Sequence, residues 1–356
     1  MSILSYLARH LHLTSSYDPS LIVHDVAYFS GSDAHVNHKL DIFLPGPSKN
    51  LLSPSSSNEE ESQKKIPIII HIHGGGWVRG NRKNEWRGGP VIGRTCAKEG
   101  FVGVVASYRL ARMSLISFAT WSLIFGLIIL ITSLILLSWQ LITGYIIFMC
   151  AAFAYNFLYQ ARIPVNLDHM VDDLCRALVY IRDHIHEHCP QADPSQIFLS
   201  GHSAGAHLIS LLILDKSHLE RHEFSFSSIR GVIAMSGIYT LSSPTHDSQN
   251  NIRNLIFRIL YSSNLRYPEG KTMIEYSPIE YIKEDNELPP FLVMSARFDM
   301  GLEVDARRFV EKLRQYNYQV EYYIIGGMTT HGTIASKFSK NNARRHFFTF
   351  IRQNMK

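Results

Sequence analysis

Residues 113–161 contain no Asp, Glu, Lys, Arg or His. No other feature of the chain limits its folding so tightly. A core helix in a water-soluble domain is seldom this long, and one bilayer crossing takes about 20 apolar residues. The run is too long for one ordinary span and fits two spans joined by a tight turn. Polarity rises at Ser138-Trp139-Gln140, and a tryptophan suits a membrane–water interface. The expected hairpin therefore has helices at roughly 115–137 and 141–160 with its turn near those three residues. A single tilted helix, or a hairpin buried in a soluble core, is the competing reading, and the uncharged length weighs against both.

The flanks carry a separate argument. "FVGVVASY" (101–108) has the near-continuous apolar character of a parallel strand covered on both faces, and "IFLSGHSAG" (197–205) begins in the same way. Neighbouring strands of one sheet lie on one side of a membrane, so the number of crossings between them is even. Arg109, Arg112 and Arg162 flank the run, and the tip carries no positive charge. Positive residues favour the cytoplasmic side. The sequence thus predicts an integral membrane protein that has the lipid bilayer as a partner and its folded domain in the cytosol.

The remaining totals mostly exclude. The formal charge of +5 is spread over 35 basic and 30 acidic residues without a dense Lys/Arg tract, so nucleic acid is not an expected partner. Cys96, Cys150, Cys175 and Cys189 form no CxxC pair and no zinc spacing, and no Asn-x-Ser/Thr acceptor occurs. Both absences lean toward a cytosolic setting for the soluble part. In residues 1–20, Ile3, Leu4, Leu7 and Leu11 share one helical face; an interfacial helix and a helix packed on the domain fit that pattern equally.

Elsewhere strands and helices alternate. "VHDVAYF" and "HKLDIFL" read as strands joined by a hairpin-like connection. Residues 45–65 are Ser-rich and unpatterned and read as a disordered surface loop. "IPIIIHIH" reads as a strand and "PVIGRTCAKEG" as a helix ending at Gly100. Further on, "LDHMVDDLCRALVYIRDHIHEH" and "SAGAHLISLLIL" read as helices, "IRGVIAMSG" and "PFLVMSA" as strands. A helix from about Glu303 to Tyr316, the strand "QVEYYIIGG" and a terminal helix complete the pattern. This is an α/β order with a mostly parallel sheet. One folded domain is expected, made of 21–112 and 162–356 and interrupted by the insertion at 113–161. Residues 240–282, rich in Leu, Ile and Tyr, are the expected helical cap.

Two glycine-rich stretches fall at strand ends. "GHSAG" (201–205) lies between a strand and a helix, where a sharp turn lifts Ser203 into an exposed position and glycines relieve the crowding. Alone it is a weak signal, expected by chance in roughly one chain in ten of this length at ordinary glycine usage. "HGGGW" (73–77) closes the strand two elements upstream and is far rarer. Acyl transfer builds negative charge on the substrate oxygen, and peptide N–H groups stabilise it where no side chain blocks their approach. Gly75, Gly76 and the Ala204 amide are the expected oxyanion hole. The partners of Ser203 should follow as acid and then histidine. Asp299 lies just beyond the strand "FLVMSA", and His331 follows the last strand. His331 would take the Ser203 proton while Asp299 fixes its tautomer. Glu303 or Asp305 are the alternative acids. His202 and His207 read as packing or hydrogen-bonding residues rather than metal ligands, Asp172-Asp173 as a solvated or salt-bridged helix position, and Trp77 as a packing or site-lining residue.

"HGGGW", "SYRLA", "GHSAGAHL", "SARFD" and "HGT", in this order, resemble the α/β-hydrolase superfamily. The closer resemblance is to hormone-sensitive-lipase-like carboxylesterases, including the isoprenylcysteine methylesterase and kynurenine formamidase branches. It covers nearly all of the chain from about residue 24 onward apart from two insertions. It implies an α/β-hydrolase fold, to which the uncharged run adds an inserted transmembrane helical hairpin, and a serine carboxylic-ester hydrolase that uses Ser203, Asp299 and His331 without cofactor or metal. In the family "YRLAPE" runs on into the next helix, whereas here "YRLA" is cut by the apolar insertion. The expected substrate is a small lipophilic ester entering from the lipid, with the hairpin pressing the catalytic face toward the bilayer or only tethering it. An amide hydrolase like the formamidases, and an inactive hydrolase-fold receptor or scaffold, are the alternatives.

Overall fold

The computed structural model describes residues 17–46, 65–159, 165–241, 262–284 and 287–356. Most of the predicted N-terminal helix, nearly all of the predicted 45–65 loop and about half of the predicted cap (242–261) lie outside them.

The isoleucine run becomes β3 (Ile66–Ile72), buried along almost its whole length. Side chains alternate across a strand, and here both faces are covered. Ile68, Ile70 and Ile72 join one core cluster, while Ile69 points into the other. The remaining strands are β1 (Ile22–Ala27), β2 (Lys39–Phe43), β4 (Val102–Ala106), β5 (Ala192–His202), β6 (Ile229–Met235), β7 (Phe291–Phe298) and β8 (Val320–Thr330). They form one sheet in the order β1-β2-β4-β3-β5-β6-β7-β8. The β1–β2 and β2–β4 pairs are antiparallel, and every pair from β4 to β8 is parallel.

Helices α1 (Gly89–Lys98) and α7 (Ala343–Asn354) cover one face, where Ile92 and Cys96 meet Phe347 and Phe350 over Phe198 and Leu292. The other face carries α4 (Leu167–His184), α5 (Ala204–Leu214) and α6 (Leu302–Gln315), packed through Leu174, Leu208 and Phe309. The chain runs outward in both directions from β3, which lies between β4 and β5. In open α/β sheets the crevice at the strand C-termini beside such a switch point is where ligands bind.

The insertion is helical. Between β4 and α4 the chain forms α2 (Leu115–Leu136) and α3 (Trp139–Ala154), the latter extended by a π-helical turn Tyr155–Tyr159. Ser114 caps α2 by accepting from the Ser117 amide. The reversal falls at Leu137-Ser138, with Leu137 left-handed at φ 50°. The turn expected near Ser138-Trp139-Gln140 is thus shifted slightly toward the N-terminus: Trp139 already begins α3, because one left-handed residue suffices to end α2. Both helices are long and apolar enough to cross a membrane, and only 6% of each apolar window is buried. Leu137 is 91% and Trp139 71% exposed. The Tyr145 hydroxyl donates to the Ser122 carbonyl across the pair.

The described part of the predicted helical cap holds 3₁₀ turns at Ser262–Asn264, Ile274–Tyr276 and Pro278–Tyr281 rather than α-helix. Pro268 and Pro278 each remove a backbone donor.

Candidate active site

The register of β3 on β5 pairs Ile72 with Gly201. The residues that follow, the HGGGW stretch after β3 and Ser203 after β5, therefore emerge side by side. A Cβ on Gly74 would stand 3.0 Å from the Ser203 Cβ and 2.8 Å from the His202 ring. The glycine loop thus lies directly against the turn that carries the serine.

That turn is strained. Ser203 has φ 54° and ψ −119°, a region that non-glycine residues occupy only when the surroundings enforce it. The enforcement is visible on both sides. The Ser203 amide donates to the Met235 carbonyl at 2.9 Å. A Cβ on Gly205 would lie 2.2 Å from the Ile72 carbonyl oxygen, and one on Gly201 2.6 Å from the Ala206 amide nitrogen. Only glycines let strand, turn and helix close this tightly. Ala204 is the first residue of α5, so its amide has no intrahelical acceptor.

The glycine loop closes on itself. Gly75 has φ 140°, and a Cβ there would sit 1.7 Å from the Arg79 carbonyl oxygen. The Arg79 amide in turn donates to the Gly75 carbonyl at 3.2 Å. Trp77 is completely buried, so it packs beneath the loop rather than lining the site. Its indole N–H donates to His207 Nδ1 at 3.3 Å, and His207 Nε2 donates to the Tyr276 carbonyl at 2.8 Å.

The acid and the histidine arrive on the other half of the sheet. Phe298 at the end of β7 pairs with Thr330 at the end of β8, and the His331 amide donates to the Phe298 carbonyl at 3.1 Å. His331 Nε2 lies 3.0 Å from Ser203 Oγ, and its Nδ1 lies 2.7 Å from Asp299 Oδ1. The Asp299 side chain is fully buried, while that of His331 keeps 18% exposure. The Ala296 amide donates to Asp299 Oδ2 at 3.1 Å, so both carboxylate oxygens are engaged. Of the alternative acids, Asp305 is occupied elsewhere, accepting from the Tyr239 and Thr240 amides, and it is Asp299 rather than Glu303 that meets His331 Nδ1.

His202, expected to pack or to hydrogen-bond, supports this group. His202 Nε2 donates to the His331 carbonyl at 2.7 Å, and burial holds the His202 imidazole well below the usual histidine range. Burial likewise depresses His73 to about 4 and His71 to about 3. The His73 ring stacks on Tyr108 at 4.6 Å. Asp173, read as solvated or salt-bridged, is buried: it accepts from the Arg109 amide at 2.7 Å and Arg109 Nε at 2.9 Å, and His38 Nε2 lies 2.9 Å away. "SYRLA" carried that signal, since Tyr108 and Arg109 are adjacent within it.

The model of the alpha/beta hydrolase fold family matches residues 149–334, more than half of the chain. This chain belongs to the alpha/beta hydrolase fold family. A second family model, BD-FAE, matches residues 57–119 of this hydrolase-fold chain. A probable isoprenylcysteine alpha-carbonyl methylesterase of Arabidopsis thaliana is 28% identical over 178 residues, which is 46% of this chain and 36% of the relative. The match thus spans about a third of that relative's length. Among solved structures, esterase B from Lactobacillus Rhamnosis superposes with a TM-score of 0.61 at 14% identity, covering 98% of this chain and 90% of the other. The thermophilic esterase Est2 of Thermogutta terrifontis gives 0.54 at 17% identity, covering 92% and 89%. These two likenesses are of fold. With the family match they agree with the resemblance to hormone-sensitive-lipase-like hydrolases read from the motifs.

Proposed function

We propose that this chain is a membrane-anchored serine hydrolase that cleaves carboxylic esters of lipophilic substrates through an acyl-enzyme. One observation carries the reading: a single imidazole within hydrogen-bond reach of both Ser203 Oγ, at 3.0 Å, and a buried Asp299 carboxylate, at 2.7 Å. In this mechanism His331 Nε2 accepts the Ser203 proton as Oγ attacks the ester carbonyl, and Asp299 keeps the other ring proton on Nδ1 and stabilises the imidazolium. The developing oxyanion takes hydrogen bonds from the amides of Gly75, Gly76 and Ala204. Collapse releases the alcohol, protonated by His331, and a water then follows the same path to free the acid.

The lipophilic substrate class rests on two supports. The exposed apolar hairpin leaves β4 at the same sheet edge that carries Ser203, and the Arabidopsis relative is named for a prenylated methyl ester. Two measurements test the reading. A fluorophosphonate probe should label the wild-type chain and leave Ser203→Ala unlabelled; equal labelling of both would refute the serine mechanism. Exposed Cys150 on α3 should react with a water-soluble maleimide in mild detergent and resist it in sealed bilayers. Equal reaction in both would refute the membrane hairpin.

A further inference from the structure

Beyond leading into the hairpin, the chain leaving β4 runs along the outer side of the glycine loop and touches it at successive points. Ser107 Oγ accepts from the Arg82 amide at 2.9 Å, the Tyr108 hydroxyl donates to the His73 carbonyl at 3.2 Å, and the Ala111 amide donates to the Trp77 carbonyl at 2.9 Å. One helical turn and a half into α2, the Trp121 ring lies 5.5 Å beneath the Arg79 guanidinium. Arg79 is the residue whose carbonyl fills the space beside Gly75 and whose amide closes the loop. Among the described residues its side chain forms no ion pair, and the indole face is its charged group's partner.

The hairpin end of this contact is fixed. The Asn156 side chain accepts from the Met113 amide at 3.1 Å and donates to the Met113 carbonyl at 3.0 Å, joining the two legs at their base. The Ser114 amide donates to Asn264 Oδ1 at 2.8 Å, which ties the same point to the segment after β6. These bonds hold the N-terminal base of the helix that carries Trp121.

We propose that Arg79 is a positioning residue: stacked on Trp121, it couples the seating of the hairpin to the placement of the Gly75 and Gly76 amides, so that the hairpin tunes turnover as well as anchoring the enzyme. This rests on the serine-hydrolase reading of the same site. Amides of that kind act on the oxygen only as its charge develops, so their displacement lowers kcat and leaves substrate binding nearly unchanged. Misplacing a reacting group by about 1 Å can cost on the order of a hundredfold; for the loss of one stacking contact a drop of roughly tenfold is the expected result.

The experiment uses the full chain in nanodiscs with p-nitrophenyl butyrate, a short ester that needs no delivery from lipid. Arg79→Ala and Trp121→Ala should each lower kcat about tenfold with KM within about twofold, and the rate of fluorophosphonate labelling should fall in parallel. Arg79→Lys and Trp121→Phe, which keep a cation over a ring, should recover most of the loss. Leu134→Ala, near the exposed tip of α2, should behave as wild type. Wild-type kcat in Trp121→Ala, or a loss confined to KM, would overturn the coupling. If Arg79→Ala does not fold, the Trp121 pair reads the same contact from the other side. The two ideas fail separately: full activity in Ser203→Ala removes the hydrolase reading, whereas an inactive Ser203→Ala beside a fully active Trp121→Ala removes only the coupling.

Discussion

Asp299→Asn changes one atom of the candidate relay and little of its shape. The carboxylate is fully buried, with Oδ1 at 2.7 Å from His331 Nδ1 and Oδ2 accepting from the Ala296 amide at 3.1 Å. An asparagine offers one oxygen and one NH₂ in their place. Turning the NH₂ toward Ala296 would leave that buried N–H unpaired, at about 1–3 kcal/mol. The oxygen therefore stays with Ala296 and the NH₂ faces the imidazole. It donates to Nδ1, which moves the ring proton to Nε2, and the ring then points a hydrogen at Ser203 Oγ instead of a lone pair. Catalysis must reverse this arrangement and also forgo a charge-assisted bond of about 1.5–3 kcal/mol. Together these amount to about 2.5–6 kcal/mol, or roughly a 10²- to 10⁴-fold loss in kcat/KM at about 1.36 kcal/mol per decade. Short-chain p-nitrophenyl ester hydrolysis by the chain in nanodiscs measures it, and the unfolding temperature should move by only a few degrees. A loss under tenfold would refute the argument, since it would mean that His331 keeps its working tautomer without the carboxylate.

Three further outcomes follow from packing and burial. Gly205→Ala puts a Cβ 2.2 Å from the Ile72 carbonyl oxygen; it should cost about 1–3 kcal/mol in denaturant titration and abolish fluorophosphonate labelling as the turn opens. Asp173→Ala removes the one fully buried carboxylate that Arg109 and His38 share and leaves the Arg109 guanidinium only its longer contacts to Asp33 and Asp172, which should cost about 3 kcal/mol and be seen as a lower unfolding midpoint. Burial lowers His71 to about 3, and His73 and His207 each to about 4, whereas an unfolded histidine titrates near about 6.5. Below that pH the unfolded chain takes up protons that the native chain refuses, so stability falls with pH from about 6.5 down to about 4. The slope is at most about 1.4 kcal/mol per pH unit per histidine. His207→Gln should flatten this fall in thermal melts run between pH 7 and 5; an unchanged slope would count against the depressed value.

What the sequence made legible was mainly what backbone contact demands. Gly75 and Gly205 stand where a Cβ would collide with a carbonyl oxygen, so their residue type is dictated locally and shows in the motif. The hairpin was legible from its long uncharged run, and its turn falls near the expected residues, shifted slightly because one left-handed Leu137 carries no strong composition signal. Asp299 and His331 were readable as residues just past strand ends, but their meeting is a matter of the β7–β8 register. The Arg109–Asp173–His38 cluster and the Arg79–Trp121 contact join residues far apart in the chain, and no local pattern encodes either one. The described 3₁₀ turns of the predicted cap show the same limit, since Leu, Ile and Tyr content does not fix a helix where prolines interrupt it.

The sheet order places β3 between β4, made before the hairpin, and β5, made after it. During synthesis at about 5–20 residues per second, the ribosome spends several seconds on the insertion and the helix that follows before β5 emerges. Throughout that interval one side of β3 has no strand to pair with, and an unpaired strand edge invites wrong partners. The sheet must therefore be finished around a two-helix insertion that is made while β3 is only half paired. Folding of the hairpin and protection of a half-built sheet must proceed together.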